Sequence, residues 1–366
     1  MPLPILIGGA AIIAAAYGAK KGVDGYKSHS EANEIIDNTK EKYNTKKAEL
    51  DEQEKKTQTS LEQLGNLELD IGASFDKFST LAQELLNKLN ADRQNKLNIN
   101  FPKHRLEKIE SYKFTALGVL GSVAGAGAAG AAAGFAVYGG VMSFAAASTG
   151  TAISALSGAA ATNATLAAIG GGALSAGGLG MAGGTAILSA AVAAPVLAIA
   201  GWAYANHGEE ALENAKKARK EANAAIEKLI TAVESLANTE SYVLKIRFSI
   251  TSIYQNFQEY LNQLAAISRR IDECSTLGLD PTDELSRLSP EIMRTIENGY
   301  ALAAILTDII TTPIFKFRVD NNELIKDNDG IPIMEKDADG SLIINAEAID
   351  KAINHSEQEI RSFATT

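Results

Sequence analysis

"LGVLGSVAGAGAAGAAAGF", Leu117–Phe135, satisfies two incompatible spacings. Gly125, Gly127 and Gly130 match G-x-G-x-x-G, which lets a backbone approach a dinucleotide pyrophosphate. Gly121 and Gly125, and Gly130 and Gly134, match G-x-x-x-G, which lets two helices touch inside a bilayer. The dinucleotide reading needs a strand before the glycines, a helix after them and an acid about 20 positions on. Residues 114–124 are too rich in Ala and Gly for a buried strand, and the next acid is Glu209, roughly 80 positions away. The helix-contact reading is the one the surroundings support.

Those surroundings are unusual. Between Lys113 and Glu209 lie 95 residues without Asp, Glu, Lys or Arg, and they hold 20 of the chain's 31 glycines. Soluble domains average about 25% charged residues, so the gap divides the chain into charged flanks and an apolar centre. Two stretches inside it, Leu117–Ala147 and Ala173–Ala203, exceed the roughly 20 residues that a bilayer core requires. In the second, Gly172, Ala176, Gly180 and Gly184 repeat the four-residue spacing. Tyr112 and Phe114 at one end of the block, and Trp202 and Tyr204 at the other, suit the headgroup level. Lysine and arginine clusters outside both ends would lie on one, cytoplasmic, side of a hairpin. "STGTAISALSGAAATNATLAAIGGG", Ser148–Gly172, would form the turn or a re-entrant helix. Each span has only eight Leu, Ile, Val or Phe, about −2.5 to −5 kcal/mol of insertion free energy, so helix contacts or self-association must add to it. A form held in water before insertion, with other protein covering the block, also fits, as does a permanently buried helical core.

The flanks carry helical spacing. Ile36, Thr39, Tyr43, Lys46, Leu50, Gln53, Thr57, Leu61, Leu64, Ile71, Phe75, Phe78, Leu85 and Leu89 make one seam, apolar at its ends and polar midway. Gly65 and Gly72 are expected to bend or break it. A second seam runs from Leu212 to Ile271, and a third helix spans roughly Pro290–Thr311. The two seams are expected to lie antiparallel as a stalk. Residues 3–19 form a further apolar piece, followed rather than preceded by Lys20 and Lys21. That order favours an anchor or interfacial helix over a secretory signal, with a bundle-capping helix as the alternative. In 313–345 apolar and polar residues alternate around "DNDG" and "DADG", predicting two or three short strands with Asp-Gly turns, and a closing helix follows over 346–363. Neither Asp-rich turn has the spacing of a calcium loop.

The fold expected is therefore mainly α: an elongated antiparallel helical bundle or coiled coil with a Gly/Ala-rich apolar hairpin and a small β-containing tail. Its segments are residues 1–27 (anchor), 28–113 (first arm), 114–208 (hairpin), 209–312 (second arm and third helix) and 313–366 (tail). The net charge of −10 excludes a nucleic-acid partner. Cys274 is alone, and His29, His104, His207 and His355 lack metal-like spacing. No catalytic, cofactor-binding or metal-binding residue is assigned, and an enzyme is not expected. The candidate contact residues are Gly121, Gly125, Gly130, Gly134, Gly172, Gly180 and Gly184. The partners expected are a lipid membrane, further copies of the chain and, through the arms, a protein.

Three stretches resemble a widespread family of bacterial glycine-zipper membrane proteins: "MPLPILIGGAAIIAAAYGAKKGVDGY" at the start, "LGNLELDIGASFDKFSTL" (Leu64–Leu81) and Ala147–Leu188. The resemblance covers about the first 240 residues and leaves out the tail. It implies a bacterial protein and supplies no activity to carry over by residue; with the basic clusters on one side of the hairpin, the localisation expected is the inner membrane with cytoplasmic arms. The order of long helix, apolar hairpin and long helix is more loosely similar to α-helical pore-forming toxins. Membrane insertion with permeabilisation, a non-lytic scaffold, and a soluble oligomer with the block buried are the three functions this leaves open.

Overall fold

Asn90 ends the first seam by turning its side chain onto the chain beyond it. Its carboxamide donates to the Leu97 carbonyl at 3.0 Å and accepts from the Leu97 N–H at 2.7 Å. Up to that point helix α1 is continuous over Ala19–Asn90. Pro102, which cannot donate to a preceding turn, then opens helix α2, Lys103–Ser122. The computed structural model describes residues 19–91, 97–122, 132–137, 208–278, 280–320, 323–325, 333–338 and 341–364. Side chains are described from residue 30 in α1, from 212 in the third helix and up to 362 in the last.

Helix α3 is Gly208–Thr276. It stops where Gly278 takes φ +72°, a left-handed conformation that glycine adopts without a Cβ clash. Helix α4, Pro281–Ile310, starts nine residues before the position expected from apolar spacing. Asp280 caps it by accepting from the Thr282 N–H at 2.9 Å, Pro281 takes the first helical position, and Asp283 and Glu284 face the positive end of the helix dipole. That N-terminal signature was readable in "DPTDE".

The tail is a small meander closed by a helix. Strand β1 (Val319–Asp320) pairs antiparallel with β2 (Glu323–Leu324), and isolated bridges join Phe315 to Ile344, Phe317 to Met334 and Lys336 to Leu342. Asp337 holds its turn by accepting from the Ser341 N–H at 2.9 Å. The Asp-Gly pairs themselves lie outside the described residues. Helix α5, Ala346–Ala364, closes the chain within a residue of expectation. The fold is mainly α, as the seams indicate.

The described residues fall into two compact units, Met1–Glu49 with Val192–Ile230 and Leu50–Ala191 with Thr231–Thr366. In the first, α1 buries Ala32, Thr39 and Tyr43, and α3 buries Ala215, Ala218, Ala222, Ala225 and Leu229. Alanines on one helix face keep the side-chain layer thin. The second unit holds the aromatic core. The Phe257 ring of α3 lies 5.2 Å from that of Phe75 and 5.3 Å from that of Phe78 on α1, and Tyr300 of α4 meets Phe78 edge-on at 5.3 Å. Such geometries suit the aromatic quadrupole.

Within this unit α1 and α3 run parallel, which corrects the antiparallel expectation. Gln53 donates to Glu240 at 2.7 Å, the Thr57 hydroxyl to the Leu236 carbonyl at 3.1 Å, Ser74 and Tyr254 share a hydroxyl hydrogen bond at 2.7 Å, and Lys88 pairs with Asp272 at 2.6 Å. From Thr57–Leu236 through Ser74–Tyr254 to Lys88–Asp272 the partner numbers rise together along both helices. The polar middle of the seam thus sets register, the use to which buried polar groups in helix pairs are best suited. The reversal that the stalk reading placed in the apolar block occurs earlier, at 91–102, because α2 folds back along α1. Gly72 of α1 faces Ala116 of α2, while Lys113 reaches back to Asp76 at 3.6 Å and to the Ser79 hydroxyl at 3.1 Å. Helix α2 also crosses the 113/114 boundary assigned from charge, so charged and chargeless residues share one helix.

Gly65 and Gly72 do not break α1, which runs continuously through both. They are close contacts instead: a Cβ on Gly65 would overlap the Ala132 carbonyl, and one on Gly72 the Ala116 side chain.

An ion cluster ties α2, α4 and α5. Arg105 donates to Asp308 at 2.8 Å and to both oxygens of Glu359 at 3.1 and 3.0 Å, and Lys108 pairs with Asp308. Burial alone would raise the Asp308 carboxyl, but the bonds from Lys108 and Arg105 outweigh it and hold the group below its ordinary 3.8. A depressed carboxylate adds stability that is complete above pH 3.8 and is lost as pH falls through the folded value. The urea midpoint of Asp308→Asn should therefore lie below that of the parent at pH 7, with the gap closing on acidification towards pH 3. A gap that stays constant with pH would remove the charge from the account.

Candidate functional site

The chargeless block meets the rest of the chain, within the described residues, on one face of α1. Gly65, Glu68, Gly72 and Phe75 succeed one another at three- and four-residue steps, so they line a single stripe. The two glycines remove side chains where other backbones press in. Helical residues 132–137 lie against Gly65 through Ala132, and α2 lies against Gly72 through Ala116. Between them Tyr112 fills the space. Its ring sits 6.1 Å from Phe75 and 6.0 Å from Phe135, and its hydroxyl donates to the Glu68 carbonyl oxygen at 2.7 Å. Ala132, Ala133, Phe135 and Ala136 are all buried. The first part of the block to be described after α2 is therefore covered by protein.

Glu68 is the exception in this apolar seat. It is 2% exposed, and burial pushes its carboxyl well above its ordinary 4.5, with no charged or donor group offsetting the effect. The same burial, followed by the Glu68 charge, raises the Tyr112 hydroxyl well above its ordinary value. Apolar spacing passed over Glu68 because an acid reads as a solvated helix position. Its signal was the company of Gly65 and Gly72, one turn to either side.

The expected membrane-boundary and helix-contact residues divide. Tyr112, expected at the membrane interface, is buried here, with its ring and hydroxyl both satisfied inside the bundle. Phe114, two positions on, is about half exposed. Gly121 is exposed, and among the described residues nothing lies within 4 Å of where a Cβ would stand. Gly134 is buried in the seat. Gly125, Gly130, Gly172, Gly180, Gly184, Trp202 and Tyr204 lie outside the described residues, as do the N-terminal apolar piece up to residue 18 and the whole of Ala173–Ala203. The span Leu117–Ala147 is described only at 117–122 and 132–137. Among the described residues no helix is long and apolar enough to cross a membrane, and no His, Cys, Asp and Glu side chains gather as a metal site.

A second concavity, of about 760 Å³, opens between α3, α4 and α5. Asn256, Tyr260, Gln263, Arg294 and Asn298 are among the residues that line it, and Asn298 donates to the Tyr260 hydroxyl at 3.4 Å. Its chemistry selects no ligand class. No family model, curated protein or solved structure matches the chain.

Proposed function

We propose that this chain is a membrane-inserting, self-associating helical protein whose bundle carries the chargeless block and that permeabilises the bilayer it enters. The observation that carries the reading is the run of 95 uncharged residues with helix-contact glycine spacing, flanked by helices dense in charge. A soluble core made mostly of Gly, Ala and Ser would forgo the bulky packing that stabilises globular interiors, and glycine in a soluble helix costs about 1 kcal/mol relative to alanine. In lipid the same composition is an advantage, because close backbone approach replaces the missing hydrophobic attraction between helices. The resemblance to bacterial glycine-zipper membrane proteins points the same way, and the basic clusters on one side of the hairpin favour an inner-membrane setting with the charged helices cytoplasmic.

Flotation with anionic liposomes and release of an enclosed dye test it. The full chain should float with the vesicles and empty them, and replacing Gly180 and Gly184 together with leucine should cut release at least tenfold. Undiminished release would remove the glycine faces from the mechanism. Flotation without release would make the protein a non-lytic anchor for a helical scaffold.

One observation favours a second reading, in which the block stays protein-covered throughout. Residues 132–136 are already enclosed by α1 and α2. A detergent-free particle that never floats, and that carbonate washing releases from the membrane fraction, would establish that reading over the first.

A further inference from the structure

The stripe Gly65–Glu68–Gly72 holds an acid where every neighbouring choice is apolar or small. Residues 132–137 bring only Ala, Gly, Phe and Val to it, so they offer the carboxyl no donor from a side chain. From α2, Tyr112 spends its hydroxyl proton on the Glu68 main-chain carbonyl rather than on the carboxyl. From α3, Tyr254 is engaged with the Ser74 hydroxyl, and Arg247 with Gln63. Helix α4 reaches α1 at Phe78, nearly three turns further along. Among the described residues no cation meets Glu68, and burial is the one influence on its ionisation. Leucine or glutamine would fill the same volume without that penalty.

We propose that Glu68 is a charge-controlled latch: its neutral carboxyl lets residues 132–137 and α2 close over the Gly65–Gly72 stripe, and its ionisation drives them off. Closing the seat over an ionised carboxylate at a residue only 2% exposed strips the charge of most of its water, which is costly. Opening the seat hydrates it. The direction with pH follows from proton binding. Below about 4.5 the group is neutral whether the seat is open or closed, and nothing is lost. As pH rises the open form gives up its proton first, so the closed form is progressively disfavoured until pH passes the raised value. The latch therefore releases on alkalinisation, the opposite sense to the Asp308 cluster, which fails in acid. It governs the exposure of residues 132–137 whether or not they subsequently enter lipid.

Hydrogen–deuterium exchange of the full chain, read by mass spectrometry between pH 5 and 8 and corrected for the intrinsic pH dependence of exchange, tests this. Peptides covering 132–137 should exchange at least tenfold faster at pH 8 than at pH 5 in the parent. In Glu68→Gln they should hold their pH 5 protection throughout. Tyr112→Phe, which keeps the acid and the ring, should retain the pH dependence. Corrected protection in the parent that does not change with pH overturns the latch without reference to any variant. So does a Glu68→Gln profile that follows the parent, or a Tyr112→Phe profile that has gone flat.

Discussion

Phe257→Ala should lower the unfolding free energy of the second unit by about 3–5 kcal/mol, seen as a fall in the urea midpoint of the full chain by circular dichroism. The ring is fully buried and meets Phe75 and Phe78, about one turn apart on α1, from the α3 side. Removing it deletes the transfer free energy of a large side chain and leaves a cavity. Phe78 cannot simply relax into that cavity, because its other face is pressed against Gly299 of α4 and Tyr300. Phe248 on the same helix supplies the contrast. It is 81% exposed, and its replacement with alanine should move the midpoint by no more than about 0.5 kcal/mol equivalent. A Phe257→Ala loss no larger than that of Phe248→Ala would mean that the aromatic cluster is not what holds the unit together.

Gly65→Leu should displace residues 132–137 from α1. Even the first added carbon would overlap the Ala132 carbonyl, and backbone held in a helix cannot yield as a side-chain tip can. Overpacking of this kind costs about 1–3 kcal/mol when the structure strains to accept it. Here detachment of the segment is the cheaper response. Exchange protection at 132–137 should drop at least tenfold at pH 5, where Glu68 is neutral in the parent, so this effect is separable from the latch. Under the proposed function the variant should also bind vesicles more readily, since the covered apolar residues are freed. Gly118→Leu and Gly121→Leu are the controls. Neither position has an atom within 4 Å of the new Cβ, and both should leave 132–137 protected. Full protection in Gly65→Leu would show that the segment is not seated through that glycine.

The seams were legible because period and burial coincide. Three-four spacing puts Leu50, Leu61, Leu64, Ile71, Phe75 and Phe78 on the inner face of α1, and all are buried there. The closing helix and the alternation in the tail were equally readable. Leu69, Ala82 and Leu86 were not, although they are buried too. A single stripe accounts for one neighbour, whereas α1 packs against α2, α3 and α4, and a helix with several neighbours buries more of its circumference than one seam marks. The start of α4 was missed for a different reason: Pro290 reads as a helix start, although Leu285 and Leu288 already carry the spacing on to Ile292 and the capping chemistry of Asp280 and Pro281 lies upstream.

By itself the sequence determined the helical class, the buried seams of the long helices and the chargeless centre, since each depends on residues close in the chain or on composition. Direction, and the meaning of two glycines and one acid, came only from tertiary structure. Parallel and antiparallel seams bury the same residues, so periodicity carries no sign; it was hydrogen bonds between residues some 180 positions apart that distinguished them. Gly65 and Gly72 lack the side chains that would announce a partner. Whether such a position is a hinge or a contact depends on which backbone arrives there, and Ala132 and Ala116 arrive from elsewhere in the chain.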